Sequence, residues 1–216
     1  MSRYTGPKCR LCRREKMKLF LKGEKCLSPK CPMVKKAYPP GQKGKRRVRP
    51  LSEYGKELRE KQKLKSWYNL AERQFRKYVK EVLTKRGKVE DAATLLIKTL
   101  ESRLDNVVFR LGFAGSKSQA KQLVSHGHFL VNGKSIDTPS HQVKKGDIIS
   151  IKPQKITPSY KLGGGQNLQT TLKKYKTPSW LELNVSKLEG KVIAEPSLEE
   201  VAPPVEISSI FEYYSR

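Results

Sequence analysis

The sequence is poor in acidic residues and has no long apolar run. Its 216 residues carry 20 Asp and Glu against 46 Lys and Arg, a formal net charge of +26. Nothing approaches the roughly 20 apolar residues that span a bilayer. The opening Met1-Ser2-Arg3-Tyr4 lacks the apolar core of a secretory signal, so export is not expected. Catalytic motifs are missing too: there is no Gly-x-Ser-x-Gly, no His-Glu-x-x-His and no phosphate-binding Walker loop. Gly163-Gly164-Gly165 is not followed by Lys-Ser/Thr and reads as a flexible loop. The few carboxylates are dispersed among basic residues, which leaves no paired-carboxylate site. Hydrophobic residues make up 36%, enough for a small core but not for a large one.

What is abundant is positive charge. A charge of +26 repels itself in the compact state and calls for an anionic partner. Nucleic acid fits better than a membrane surface, because neither end carries a basic amphipathic helix with an aromatic face. The charge is unevenly placed. Residues 1–50 hold 17 basic and 2 acidic side chains, whereas residues 186–216 hold 3 and 6, a net of −3. The acidic tail is expected to face away from phosphates or to meet a basic protein neighbour.

Residues 1–50 have little periodicity, and Pro39-Pro40-Gly41 followed by Gly44-Lys45-Arg46-Arg47 reads as irregular backbone. Leu51 to Trp67 is rich in helix formers and predicts a helix. Asn69 with Glu72 marks the start of another, whose Phe75, Tyr78, Val79, Val82 and Leu83 share one face. Gly87 ends it. Two or three helices follow over 90–126. Leu100, Leu104, Val107, Val108 and Leu111 form one apolar stripe, and Ser116 with Gln119 forms a capping box. The period then changes to strand. Phe129-Leu130-Val131 before Asn132-Gly133 predicts a hairpin, and Ile148 to Ile151 a further strand. A short helix near 166–175, a strand or turn at Trp180 to Leu183, and a helix or strand from Ile207 to Tyr214 complete the reading.

All four cysteines lie within 23 positions, as Cys9-x2-Cys12 and Cys26-x4-Cys31. Two close pairs can chelate one tetrahedral ion, and Lys8, Arg10, Arg13, Arg14, Lys25 and Lys30 around them favour the thiolates. One zinc held by Cys9, Cys12, Cys26 and Cys31 is the preferred reading. It would give residues 1–40 an order that they cannot draw from a core. An iron–sulfur cluster on the same thiolates stays open. Two disulfides would need an oxidising compartment, and a redox pair normally sits beside a βαβ unit.

From Glu101 to Lys152, two helices and a small sheet are expected to present Arg103, Lys117, Lys121 and Lys134 together, a set suited to phosphate. The competing reading is a plain solvated surface, with Arg103 paired to Asp105 or Glu101. His126 and His128 lack partners at metal spacing. Trp67, Tyr68, Phe75 and Tyr78 fit a core better than base stacking.

The stretch Glu101–Lys152 resembles the small RNA-binding module shared by ribosomal protein S four, certain pseudouridine synthases, tyrosyl-tRNA synthetases and heat-shock RNA-binding proteins. The wider chain resembles only the first of these families. The resemblance rests on Pro39-Pro40-Gly41-Gln42-x-Gly44, on Leu51-Ser52-x-Tyr54-Gly55-x-x-Leu58-x-Glu60-Lys61-Gln62 and on Glu72-Arg73-Gln74-Phe75. It rests also on Leu104-Asp105-Asn106-Val107-Val108 and on Glu212-x-Tyr214-Ser215. Lys43 stands where the family more often has His.

The resemblance implies an α+β fold, mainly α: a metal-binding basic segment over 1–45, a helical domain over 46–98, an inserted RNA-binding module over 99–156, and a return segment over 157–216. It implies a structural protein of the cytoplasmic small ribosomal subunit, not an enzyme. Its role would be to bind rRNA early in assembly and to contribute to decoding accuracy at the mRNA entry region. Small-subunit rRNA, ribosomal protein S five and possible mRNA contact are the expected partners, with no membrane and no small-molecule substrate. The RNA-facing residues expected are Arg3, Lys8, Arg10, Arg13, Arg14, Lys45, Arg46, Arg47, Arg49, Arg59, Lys61, Lys63, Arg73, Arg76 and Lys77 in the first two segments. In the module they are Arg103, Ser116, Lys117, Ser118, Lys121, His126, Asn132 and Lys134. A free-standing RNA-binding regulator, or an accessory module of an RNA-modifying enzyme, is the alternative.

Overall fold

The computed structural model describes residues 4, 6–42, 44, 50–85, 91–155, 161–162, 166–167, 172 and 175–215. The chain divides into two compact units, Met1–Leu96 with Ala202–Arg216, and Ile97–Val201.

The first unit begins with three short helices, α1 (Lys8–Glu15), α2 (Glu24–Leu27) and α3 (Pro32–Lys35), followed by α4 (Glu53–Trp67) and α5 (Glu72–Lys85). Ser52 starts α4, its hydroxyl accepting the Gly55 N–H at 3.2 Å and satisfying an otherwise orphaned donor. On α5, Phe75, Val79 and Val82 are buried, while Arg73, Arg76, Lys77 and Lys80 face solvent. That split follows from the 3.6-residue period of the sequence. The last helix of the chain, which we number α10 (Ile207–Ser215), buries Ile207, Ile210 and Phe211 and packs on α4 and α5.

The second unit contains α6 (Ala92–Glu101), across which the division falls, then α7 (Leu104–Arg110), α8 (Lys117–Ser125) and a five-stranded antiparallel sheet. Its strands are β1 (Phe129–Val131), β2 (Lys134–Ser135), β3 (Ile148–Ile151), β6 (Leu181–Asn184) and β7 (Glu189–Val192), in the order β2-β1-β3-β7-β6. A separate hairpin pairs β4 (Lys161–Leu162) with β5 (Gln166–Asn167), and a short α9 (Leu198–Val201) follows the sheet. Asn132 and Gly133 both take positive φ in the β1–β2 turn, the geometry that Asn-Gly tolerates best. Leu104, Val107, Val108, Leu111, Ala120 and Val124 pack with Phe129, Ile149 and Trp180 in one apolar core. A Cβ on Gly190 of β7 would run into the buried Leu111 side chain, which would have to shift to admit it.

Three expectations need correction. The boundary at 156/157 is displaced, because β7 pairs with β3 in register Ile149↔Gly190, and β6 pairs with β7. Residues 181–192 therefore complete the module's sheet, and only 202–216 returns to the helical unit. The apolar stripe from Leu100 to Leu111 is interrupted. Ser102 and Arg103 leave the helix so that the Ser102 carbonyl accepts from Val143 N–H and Leu104 N–H donates to His141. Residues 166–167 are strand, not the start of a helix, while 163–165, 168–171 and 173–174 lie outside the described residues, as does Gly87.

Candidate nucleic-acid interface

An exposed cationic surface lies on α5. Arg73, Arg76, Lys77, Lys80, Glu81 and Thr84 line one shallow groove along the helix. Their offsets of 3, 4, 7, 8 and 11 keep them on one face. Lys77 meets Glu81 at 3.7 Å, but both side chains are well exposed, so the contact is weak and exchangeable. Lys80 and Thr84 were not among the expected site residues. The signal for them was the helical period already used to find the core.

A partly buried polar knot ties the start of this helix to its neighbours. Glu72 opens α5 and receives Lys61 Nζ at 2.8 Å and Lys65 Nζ at 2.9 Å. The Tyr214 hydroxyl of α10 donates to the same carboxylate at 2.8 Å. Burial pushes the Glu72 carboxyl up, but these three donors outweigh it and hold its pKa at about 2. Burial and then the Glu72 carboxylate push the Tyr214 phenol well up. Lys61 also lies 4.4 Å from the centroid of the Tyr213 ring. Lys61 is therefore buried structural charge and not an RNA-facing residue. Lys63 is half-buried against Glu60, and Arg59 lies 4.0 Å from Glu15, whose carboxyl burial pushes up.

In the second unit two further residues are corrected. Arg103 is fully buried and grips Asp105 with two bonds, Nε to Oδ1 at 3.0 Å and Nη2 to Oδ2 at 2.7 Å. Lys117 is buried in the first turn of α8, 5.9 Å from the Phe109 ring centroid. Burial lowers its pKa to about 7, opposed by Glu101, reinforced by Arg110 and opposed again by Asp105. Glu101 itself is buried and held by Arg110 at 2.9 and 3.0 Å. These charges orient α6, α7 and α8 from inside, where a phosphate does not reach.

The remaining module residues are at the surface. Ser116 caps α8 by accepting from the Gln119 N–H, and Gln119 Oε1 accepts in turn from Gly115 N–H. Ser118 and Lys121 are half-buried on that helix, and His126 and Lys134 are exposed. Asn132 is exposed but donates to Asp147 at 2.8 Å, which fixes the turn.

In the first segment, Arg10 and Arg14 are exposed and Lys8 is half-buried. Arg13 donates to the carbonyls of Lys36 and Tyr38, each at 3.0 Å, and so ties α1 to the stretch that follows α3. Arg3, Lys43, Lys45, Arg46, Arg47 and Arg49 lie outside the described residues. Of the cysteines, Cys12, Cys26 and Cys31 are buried and Cys9 half-buried. Burial pushes the Cys12 thiol up; the Leu19 backbone N–H opposes this, and Cys26, Cys9 and Cys31 add to it. The donor chemistry suits a soft divalent ion. Among the described residues, though, no three His, Cys, Asp or Glu side chains are drawn together as a ready-made ligand group.

Fold and surface together define a class: a strongly basic protein with a helix–helix–sheet module, polar scaffolding inside and cationic rows outside. Two family models match adjoining stretches of the chain. The ribosomal protein S4/S9 N-terminal domain matches residues 3–101, and the S4 domain matches residues 102–149. Proteins named small ribosomal subunit protein uS4 from Kosmotoga olearia and Thermus thermophilus are each 48% identical, with the whole of both chains covered. The one from Thermoanaerobacter pseudethanolicus is 49% identical over the same full extent. The chain belongs to the uS4 family of ribosomal proteins.

Proposed function

We propose that this chain is a structural, non-catalytic protein of the small ribosomal subunit that binds small-subunit rRNA in the cytoplasmic ribosome. The full-length identity to proteins of that name carries the reading. The exposed row Arg73, Arg76, Lys77 and Lys80 supports it physically. Cations fixed at helical spacing neutralise successive phosphates and release their counterions, so affinity falls steeply with salt. A second grip by the module on the same RNA raises the effective concentration of each.

The finer parts of the reading are early binding in assembly, contact with ribosomal protein S five, a place near the mRNA entry region and an influence on decoding accuracy. Cys9, Cys12, Cys26 and Cys31 would hold one Zn2+, with an iron–sulfur cluster as the second possibility. Bound metal would supply a cross-link that orders the segment carrying α1 to α3. The direct test titrates the full chain against deproteinised small-subunit rRNA and against an unrelated folded RNA of equal length over a range of salt. Tighter binding to the rRNA with a steep salt slope is expected, and equal binding to both refutes the reading.

A further inference from the structure

The loop between α1 and α2 holds one aromatic ring in a costly position. Leu19 and Leu21 are buried at 2% and 9% and belong to a small cluster with Cys12. Phe20 between them is 46% exposed and has φ of 50°. A bulky L-residue in the left-handed region is a steric outlier, held only where its surroundings demand it. Those surroundings are visible on both sides. Leu19 packs in one cluster with Cys12, and Lys22 N–H donates to Cys26 Sγ at 3.4 Å. Both shoulders of Phe20 are thus tied to the cysteines, and the ring is turned outward between them. The exposed residues near it in sequence include Lys16, Lys18 and Lys22. A protein partner covering this ring would have to desolvate three ammonium groups, whereas RNA offers a flat base for the ring and phosphates for the lysines.

We propose that Phe20 is a stacking platform for an unpaired nucleobase of the bound RNA, with Lys16, Lys18 and Lys22 on the adjoining phosphates. The proposal rests on the rRNA-binding reading above and names the chemistry of one contact within it.

The test uses the full chain and deproteinised small-subunit rRNA, comparing wild type with Phe20→Ala, Phe20→Asn and Phe20→Tyr. Loss of one stacked base predicts about tenfold weaker binding for Phe20→Ala and Phe20→Asn. Phe20→Tyr keeps the ring and stays within about twofold of wild type. The dependence of affinity on salt keeps its slope in all three, because no cation is removed. Asn accepts the left-handed conformation, so Phe20→Asn matches or exceeds the wild-type thermal midpoint while binding more weakly. A ring with a purely structural role would instead lose stability along with binding. Phe20→Ala and Phe20→Asn binding within twofold of wild type overturns the platform, as does Phe20→Tyr falling as far as Phe20→Ala. Wild type preferring this rRNA no more than an unrelated RNA overturns the ribosomal reading itself, a separate result.

Discussion

Replacing Glu72 by Gln tests the knot that ties α4, α5 and α10 together. The mutation keeps the side chain's shape and removes the charge that Lys61, Lys65 and Tyr214 share. A carboxyl held at about 2 instead of its ordinary 4.5 corresponds to about 3 kcal/mol if fully retained. The side chain is 38% exposed, so solvent screening reduces this to about 1–2 kcal/mol. For a chain of this size that is a fall in thermal midpoint of about 3–6 °C at pH 7. The carboxyl is depressed in the folded state, so its stabilisation is complete above pH 4.5 and is lost as pH falls towards about 2. Thermal unfolding followed by circular dichroism, at a series of pH values, should show a constant gap between wild type and Glu72→Gln from pH 7 to 5. Below that the gap should close. Equal midpoints at pH 7, or a gap that widens in acid, would refute the reasoning.

Four further outcomes are expected. Lys117→Met should raise the midpoint at pH 7. The buried amine, depressed to about 7 from 10.5, destabilises the fold fully below pH 7, so the gain should shrink as pH rises towards 10.5. Gly190→Ala should lower stability by about 1–3 kcal/mol in urea unfolding, because its methyl meets Leu111. Charge reversal of Arg73 and Arg76 should weaken rRNA binding at least several-fold and reduce the salt slope by about 1 per residue, measured by filter binding. Metal analysis of protein purified without chelator should return one zinc per chain, and Cys12→Ser with Cys26→Ser should abolish it; neither zinc nor iron in the wild type would end that proposal.

The sequence exposed most of what depends on local period. The α5 stripe, the helix expected over Leu51 to Trp67 and found at Glu53–Trp67, the helix start at Ser116 and the Asn132-Gly133 hairpin follow from spacing and turn chemistry alone. Long-range pairing was less legible. The addition of β6 and β7 to the module's sheet depends on a crossover that no local pattern records, and it moved the domain boundary to Val201. Charge was the least legible. A lysine or arginine reads the same in the sequence whether it meets solvent or a buried carboxylate. Arg103, Lys61 and Lys117 were therefore grouped with phosphate-facing residues, although Asp105, Glu72 and the Phe109 ring stand beside them. For Arg103 the neighbour two positions on was the available clue.

Co-sedimentation of the chain with small ribosomal subunits through a high-salt gradient tests the central claim most directly. A protein laid into folded rRNA by many simultaneous contacts should remain in the subunit peak in stoichiometric amount where loosely bound basic proteins are stripped away. Recovery of the chain at the top of the gradient, free of ribosomal particles, would contradict the account.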